Sequence, residues 1–169
     1  MIPFYKHNLV DKNYLKKTLQ SYYLTSGPKC EEVENILKKR FSKNFAYLTN
    51  SWTNSVISIL LALKIKKGDE IIIPACTFVA CANVIEMVGG KVVFADIDKK
   101  TKLMDIDDCL KKINKKTKVI MPVHLYGNLF PTHKLKKKIR KNIIIIEDSA
   151  HAFSGEYNNK KLGYYSDFL

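Results

Sequence analysis

The sequence predicts an α/β protein in which a mostly parallel β-sheet is sandwiched by helices. Two observations predict this fold class. Short apolar runs alternate along the chain with segments whose apolar residues recur at helical spacing, which is typical of βαβ units. One run, residues 143–146, consists of four isoleucines, as expected for a strand that is covered on both faces. No repeat or linker divides the 169 residues, which are enough for one domain of ordinary size.

The first elements are predicted from capping signals and periodicity. A helix is expected to begin near Pro28, because proline is favoured at the first helical position and acidic residues such as Glu31 suit a helix N-terminus. A strand is predicted at residues 45–49 and a turn at 50–53. The next helix, 54–64, has apolar residues at helical spacing.

Strands and helices then alternate to the end of the sequence. A strand at 70–73 is ended by Pro74, and a helix at 77–88 is stopped by two glycines. The elements expected after these are strand 91–95, helix 105–113, strand 118–123, helix 131–138 and strand 143–146. Polar residues gather directly after the strands, at 51–53, 76–78, 124–127 and 148–151. Ligands bind outside the carboxyl ends of strands in open α/β sheets, so this pattern predicts a binding site without identifying its ligand.

The formal net charge of +13 raises the possibility of nucleic-acid binding. Almost all of the positive charge is lysine, and Arg40 and Arg140 are the only arginines. Nucleic-acid surfaces usually offer arginine with interleaved aromatic residues, whereas these lysines cluster where solvated helix faces and turns are expected. A lysine-rich nucleic-acid-binding domain is therefore a distant alternative.

The four cysteines, Cys30, Cys76, Cys81 and Cys109, match neither a zinc signature nor a redox motif. We expect reduced thiols and no metal, although a site joining Cys76 and Cys81 to His124 stays open. The N-terminus lacks an apolar signal region, and the longest apolar stretch is far shorter than the ~20 residues that span a bilayer. These features predict a soluble, cytoplasmic protein with no membrane partner.

Six stretches carry a resemblance to a known family. They are LTSGP at 24–28, NSWT at 50–53, GDEIIIP at 68–74, TFVA at 77–80, VHLYG at 123–127 and EDSAHA at 147–152. In this order and spacing they resemble the DegT/DnrJ/EryC1/StrS family of sugar aminotransferases, which depend on pyridoxal 5′-phosphate (PLP). The resemblance covers nearly the whole chain.

The resemblance implies the large domain of the fold-type-I PLP-dependent transferase fold, which a small C-terminal domain usually follows. It implies a function in making cell-surface glycan precursors, by transfer of an amino group from glutamate to a nucleotide-linked keto-sugar. The implied partners are that nucleotide sugar and glutamate, together with a second copy of the chain or a C-terminal half, since family members are dimers with shared active sites.

The resemblance also assigns cofactor-binding residues. Asp148 would pair with the pyridine nitrogen and keep it protonated, because a neighbouring anion favours the charged form. Phe78 would stack on the ring, Ala150 would contact the opposite ring face, and His151 would lie beside the phenolic oxygen. Alternatives from the residues alone are a capping or lysine-paired Asp148, a core Phe78 and a structural His151.

Thr53, at the start of a helix, would bind the cofactor phosphate through its hydroxyl and the free backbone N–H groups. A simple N-cap is the alternative. The family usually has a small residue before this threonine, where this chain has Trp52, so Trp52 would lie at the phosphate site. We expect His124 and Tyr126 to be structural.

The resemblance also implies an incomplete site. Gly163, Ser166 and Asp167 match the stretch that precedes the Schiff-base lysine in the family, and no lysine of this sequence lies in the matching motif. We therefore expect residues 1–169 to be an incomplete large domain without the small domain, to have no catalytic residue and to be inactive alone. A non-catalytic subunit that completes a split or paired enzyme is the alternative, and a dehydratase relative with histidine in place of the lysine is equally compatible.

Overall fold

The computed structural model describes residues 12–23 and 25–169, and it divides into two compact units, 1–48 and 49–169. The first unit contains helices α1 (Lys12–Leu19) and α2 (Pro28–Phe41). Helix α2 begins at the proline, as the sequence predicts. The LTSGP stretch lies partly outside the described residues, at position 24.

The strand predicted at residues 45–49 is wrong. The segment has no regular secondary structure, and Phe45 and Tyr47 are 73% and 78% exposed. A strand exists only when its backbone groups pair with a neighbouring strand. Here the N–H of Leu48 instead donates to the Glu34 carboxylate at 2.9 Å.

The second unit is built on a parallel sheet, which confirms the predicted fold class. Its four strands are β1 (Glu70–Pro74), β2 (Lys91–Ala95), β3 (Thr117–Ile120) and β4 (Ile144–Ile145). Their order across the sheet is β2-β1-β3-β4, and every neighbouring pair is parallel. Strand β3 ends three residues earlier than predicted, but Val123 still bridges to Asp148 beyond the ends of β3 and β4.

Helices cover both faces of this sheet. They are α3 (Trp52–Ala62), α4 (Ala80–Met87), α5 (Ile106–Lys112) and α6 (Thr132–Lys136), and a 3-10 turn spans Leu125–Gly127. Consecutive residues of a strand face opposite sides, and Ile71, Ile72 and Ile73 are all fully buried, so both sides of β1 are covered. Helix α3 packs against α4, which lies on β1 and β2.

Two features at the C-terminal side were not predicted. A short antiparallel hairpin joins β5 (Glu156–Tyr157) to β6 (Lys160–Lys161). Residues 166–168 then lie along β4, where Phe168 forms a parallel bridge with Ile146 and accepts the N–H of Glu147 at 2.9 Å. Within the described residues, no helix is both long and apolar enough to cross a membrane.

Candidate cofactor site

A cleft opens at the carboxyl ends of the strands, where the pattern of polar residues predicts a site. It brings together all six residues that the sequence nominates: Trp52, Thr53, Phe78, Asp148, Ala150 and His151. Four residues that the sequence did not nominate complete the lining: Thr77, Cys81, Val123 and Leu125.

Asp148 is held in this cleft by its backbone and by its side chain. Its N–H donates to the Pro122 carbonyl at 2.9 Å, and its own carbonyl accepts the N–H of His124 at 3.0 Å. These two bonds continue the parallel pairing past the end of β4. The side chain is almost completely buried, with 6% of the residue exposed.

The two carboxylate oxygens of Asp148 have different partners. Oδ1 accepts the backbone N–H of Ala150 at 3.0 Å, which is a local turn bond, and Oδ2 accepts from the Cys81 thiol at 3.6 Å. The capping alternative is thus part of the structure, but one amide and one thiol leave acceptor capacity on a carboxylate. This carboxylate can therefore receive a further N–H donor from the cleft.

Cys81 is a contact of Asp148 that sequence reasoning missed. Burial, together with the nearby Asp148 charge, raises the pKa of the Cys81 thiol to about 12. The group is therefore a neutral thiol at physiological pH and can donate to the carboxylate. Thr77 lies 3.2 Å from the same sulfur. The only available signal was the four-residue spacing of Thr77 and Cys81, which does not point to Asp148.

The N-terminus of α3 supplies the candidate phosphate site. Ser51, rather than Thr53, is the N-cap, because its side chain accepts the N–H of Asn54 at 3.2 Å. Trp52 and Thr53 form the first turn, where helix geometry leaves backbone N–H groups without intrahelical acceptors. Such groups and the helix dipole favour an anion. The Trp52 side chain is half-buried against the hydrophobic core while it also lines the cleft.

The aromatic and small residues of the cleft differ in their exposure from ordinary core residues. Phe78 is 72% exposed, which contradicts the alternative that it packs in the core. An exposed aromatic face beside a carboxylate is available to stack on a flat ring. Ala150 is also exposed and lacks a side chain that would obstruct the cleft.

His151 lies at the edge of the cleft and has a defined hydrogen-bond partner. Its Nδ1 accepts the backbone N–H of Tyr126 at 3.2 Å. The two rings also stack, with centroids 5.8 Å apart and planes inclined by 20°.

A second polar cluster is centred on Glu147, next to Asp148 in the sequence. We call it the closed cluster because the chain itself supplies the donors to the Glu147 carboxylate. Glu147 Oε2 accepts the N–H of Gly163 at 2.6 Å and the hydroxyl of Ser166 at 3.1 Å, and Oε1 accepts the hydroxyl of Thr132. His124 Nε2 lies 3.9 Å from Glu147 Oε1. This cluster ties the segment around residues 163–166 to the end of β4, which sequence reasoning did not foresee.

His124 is structural, as expected from the sequence. It is fully buried, and its Nδ1 accepts the N–H of Phe130 at 2.9 Å. Burial lowers the pKa of His124, although the charges of Glu147 and Asp148 oppose this shift. In the described part of the chain, His124 and the cysteines do not form a metal-binding group of three or more ligands.

Comparison with known proteins identifies the family. The model of the DegT/DnrJ/EryC1/StrS aminotransferase family matches residues 8–169. The chain belongs to this family. It is 34% identical over 170 residues to GDP-perosamine synthase of Escherichia coli O157:H7, covering 98% of this chain and 47% of that relative. It is 33% identical over 156 residues to UDP-4-amino-4-deoxy-L-arabinose–oxoglutarate aminotransferase of Shewanella sediminis, covering 90% of this chain and 40% of that relative.

Solved structures agree with this assignment. A sugar aminotransferase of Streptococcus pneumoniae in its PMP form superposes with a TM-score of 0.92 at 33% identity, over 98% of this chain and 46% of that chain. The E. coli GDP-4-keto-6-deoxy-D-mannose-3-dehydratase with bound hydrated PLP superposes with a TM-score of 0.89 at 28% identity, over 97% of this chain and 44% of that chain. The fold-type-I prediction is confirmed. This family member spans less than half the length of these relatives.

Proposed function

We propose that this chain supplies part of the PLP site of a sugar aminotransferase that transfers an amino group from glutamate to a nucleotide-linked keto-sugar. One observation carries the proposal. A buried carboxylate with spare acceptor capacity, an exposed aromatic ring and a helix N-terminus converge on one cleft, which is lined by the residues that the family resemblance nominates for the cofactor. PLP, when bound, supplies an electron sink for carbanion chemistry.

The cleft residues fit such a group by their chemistry. Asp148 would hold a proton on the pyridine nitrogen by placing an anion beside it. Phe78 and Ala150 would orient and contact the ring, and the first turn of α3 with the Thr53 hydroxyl would bind the phosphate. His151 would lie beside the phenolic oxygen. Because Trp52 packs partly against the core, its bulk would leave the backbone of this turn accessible.

The site is proposed to be incomplete within residues 1–169. No lysine is among the residues that line the cleft in the described chain, and the catalytic steps need a lysine for attachment and proton transfer. We therefore propose that the lysine and most sugar contacts come from polypeptide outside this sequence, in the remainder of a large enzyme, a C-terminal half or a second copy. A cytoplasmic location stays a prediction.

A non-catalytic subunit is the second candidate function. It is compatible with a cleft that has no lysine among its lining residues in the described chain, because a second polypeptide would then supply that lysine. Pull-down of the 169-residue chain with a co-expressed C-terminal half of a family enzyme tests this candidate, and a lack of association would remove it. The likeness to a dehydratase keeps the dehydratase alternative open. No structural observation favours nucleic-acid binding.

The test of the cofactor proposal is a titration with pyridoxamine phosphate, followed by Trp52 fluorescence. This compound lacks the aldehyde, so it does not label surface lysines, and Trp52 is the sole tryptophan. We expect saturable quenching of Trp52 fluorescence. The affinity obtained from this titration should weaken at least tenfold in Asp148→Asn. The matched control is Asp107→Asn, which removes the same charge from the exposed surface of α5 and should bind as the wild type does. An absence of quenching in a folded sample would refute the proposal.

A further inference from the structure

Tyr126 has a backbone conformation that packing does not explain. It lies in the 3-10 turn Leu125–Gly127 with φ of 54°, and Gly127 follows with φ of 82°. Left-handed backbone is uncommon for a residue other than glycine. The Tyr126 side chain is 78% exposed, so burial does not compensate for this conformation. Such strain is found at functional sites when it places a group that the site needs.

The group placed by this turn is the backbone N–H of Tyr126. It donates to Nδ1 of His151 across 25 residues of sequence, at 3.2 Å. A backbone N–H can only donate, so Nδ1 of His151 must be the acceptor nitrogen. The proton of the neutral ring then lies on Nε2.

The Tyr126 ring adds a second constraint on the same histidine. Its near-parallel stacking at 5.8 Å limits rotation of the imidazole about its side-chain bonds. One residue therefore fixes both the tautomer and the orientation of His151, which lines the cleft.

We propose that Tyr126 is a positioning residue that makes His151 a hydrogen-bond donor, through Nε2–H, to the phenolic oxygen of the cofactor. This inference rests on the proposed function. The phenolic oxygen is electron-rich and accepts hydrogen bonds, so the opposite tautomer would place a lone pair against it. The assignment changes Tyr126 from the structural residue expected from the sequence into a part of the site.

The first measurement is the tautomer of His151 in the full 169-residue chain without ligand. Long-range proton–nitrogen correlation spectra of a sample with 15N-labelled histidine distinguish Nδ1–H from Nε2–H. The chain has four histidines, and the signals that disappear in His151→Gln belong to His151. We expect the proton on Nε2. A proton on Nδ1, or an even mixture of both tautomers, would overturn the inference.

The second measurement compares two ligands, pyridoxamine phosphate and its 3-deoxy analogue, which lacks the phenolic oxygen. Tyr126→Asn keeps the backbone N–H and tolerates left-handed backbone but loses the ring. It should weaken binding of pyridoxamine phosphate about threefold and leave binding of the analogue unchanged, because one ring contact is lost. Tyr126→Phe retains the ring, so it should bind pyridoxamine phosphate more tightly than the analogue to the same degree as the wild type does. Tyr164→Asn removes an exposed tyrosine outside the cleft lining and serves as the control.

The outcomes separate this inference from the proposed function. If the wild-type chain binds neither ligand, the cofactor proposal fails. If it binds both ligands equally, the cofactor proposal stands and the donor role of His151 is refuted. If Tyr126→Asn weakens both to the same extent, the cofactor proposal stands and the positioning role of Tyr126 is refuted.

Discussion

Glu147 and Asp148 are adjacent acids at the end of the same strand, and they lie in two different environments. Both are almost fully buried, with 4% and 6% exposed. Glu147 receives three donors from the chain itself, whereas Asp148 receives one amide and one weak thiol donor and lines the cleft. Burial and charge therefore do not distinguish an acid whose acceptor capacity is used within the chain from one that can still accept a donor from a ligand. The difference is whether the protein itself supplies all of the hydrogen-bond donors.

The largest effect expected from this difference is on stability. Glu147→Ala removes the acceptor of the Gly163 N–H and one acceptor from each of the hydroxyls of Thr132 and Ser166, and we expect the free energy of unfolding to fall by about 3 kcal/mol or more. Asp148→Ala removes fewer partners at a solvent-accessible cleft and should cost about 1 kcal/mol. Urea unfolding followed by circular dichroism measures both changes.

Equal losses in the two variants would contradict the distinction between a closed and an open acid. Glu147→Gln provides a finer control, because the amide keeps one acceptor oxygen of the carboxylate. Its loss of stability should lie between those of the wild type and Glu147→Ala.

Cofactor affinity should show the opposite ranking. Asp148→Asn is expected to weaken pyridoxamine phosphate binding at least tenfold, because the amide no longer places an anion beside the pyridine nitrogen. Glu147→Gln should change the affinity by about twofold or less, since Glu147 does not line the cleft. Fluorescence titrations at one pH give both dissociation constants. A larger effect in Glu147→Gln would mean that the closed cluster controls binding.

The closed cluster also predicts a pH dependence. Burial lowers the pKa of His124 below its usual 6.5. Below pH 6.5 the unfolded chain therefore binds a proton that the folded chain does not, and stability falls as the pH decreases toward the folded pKa. We expect the melting temperature to decrease between pH 6.5 and 5.

His124→Asn tests the origin of this decrease. The asparagine oxygen can accept the N–H of Phe130, and the asparagine side chain does not titrate. The variant should therefore be less stable at neutral pH, but its melting temperature should change less between pH 6.5 and 5. An unchanged slope would assign the decrease to other groups.

The comparison of the two acids also explains what the sequence could reveal. Local signals found the strands with strong apolar runs, and β2 was predicted with both of its ends. The segment 45–49 has the composition of a strand, but no strand lies beside it in the described chain. Whether such a segment becomes a strand depends on a neighbouring strand, and the local sequence does not show whether one is present. The same reason hid the pairing of Phe168 with Ile146.

The residues that line the candidate site were partly predicted from the sequence. The contacts between distant residues in this site were missed, for a reason related to the one that applies to the strands. Its six nominated residues follow strands or carry family motifs, so their spacing was informative. Cys81 contacts Asp148 across 67 residues, and Tyr126 contacts His151 across 25 residues. Only the folded sheet, which aligns the carboxyl ends of its strands, brings such residues together.

The smallest expected effect concerns the thiol beside Asp148. Because burial raises the pKa of Cys81 to about 12, this residue should resist iodoacetamide at pH 8, as should the buried Cys109, while the exposed Cys76 reacts. Peptide mass spectrometry after timed quenching measures the three rates, and denaturation in urea should equalise them. If Cys81 reacted as fast as Cys76 in the folded chain, a thiolate would be accessible next to the Asp148 carboxylate. Oδ2 of Asp148 would then lack its donor, and the carboxylate would need a cation from the cleft to remain buried.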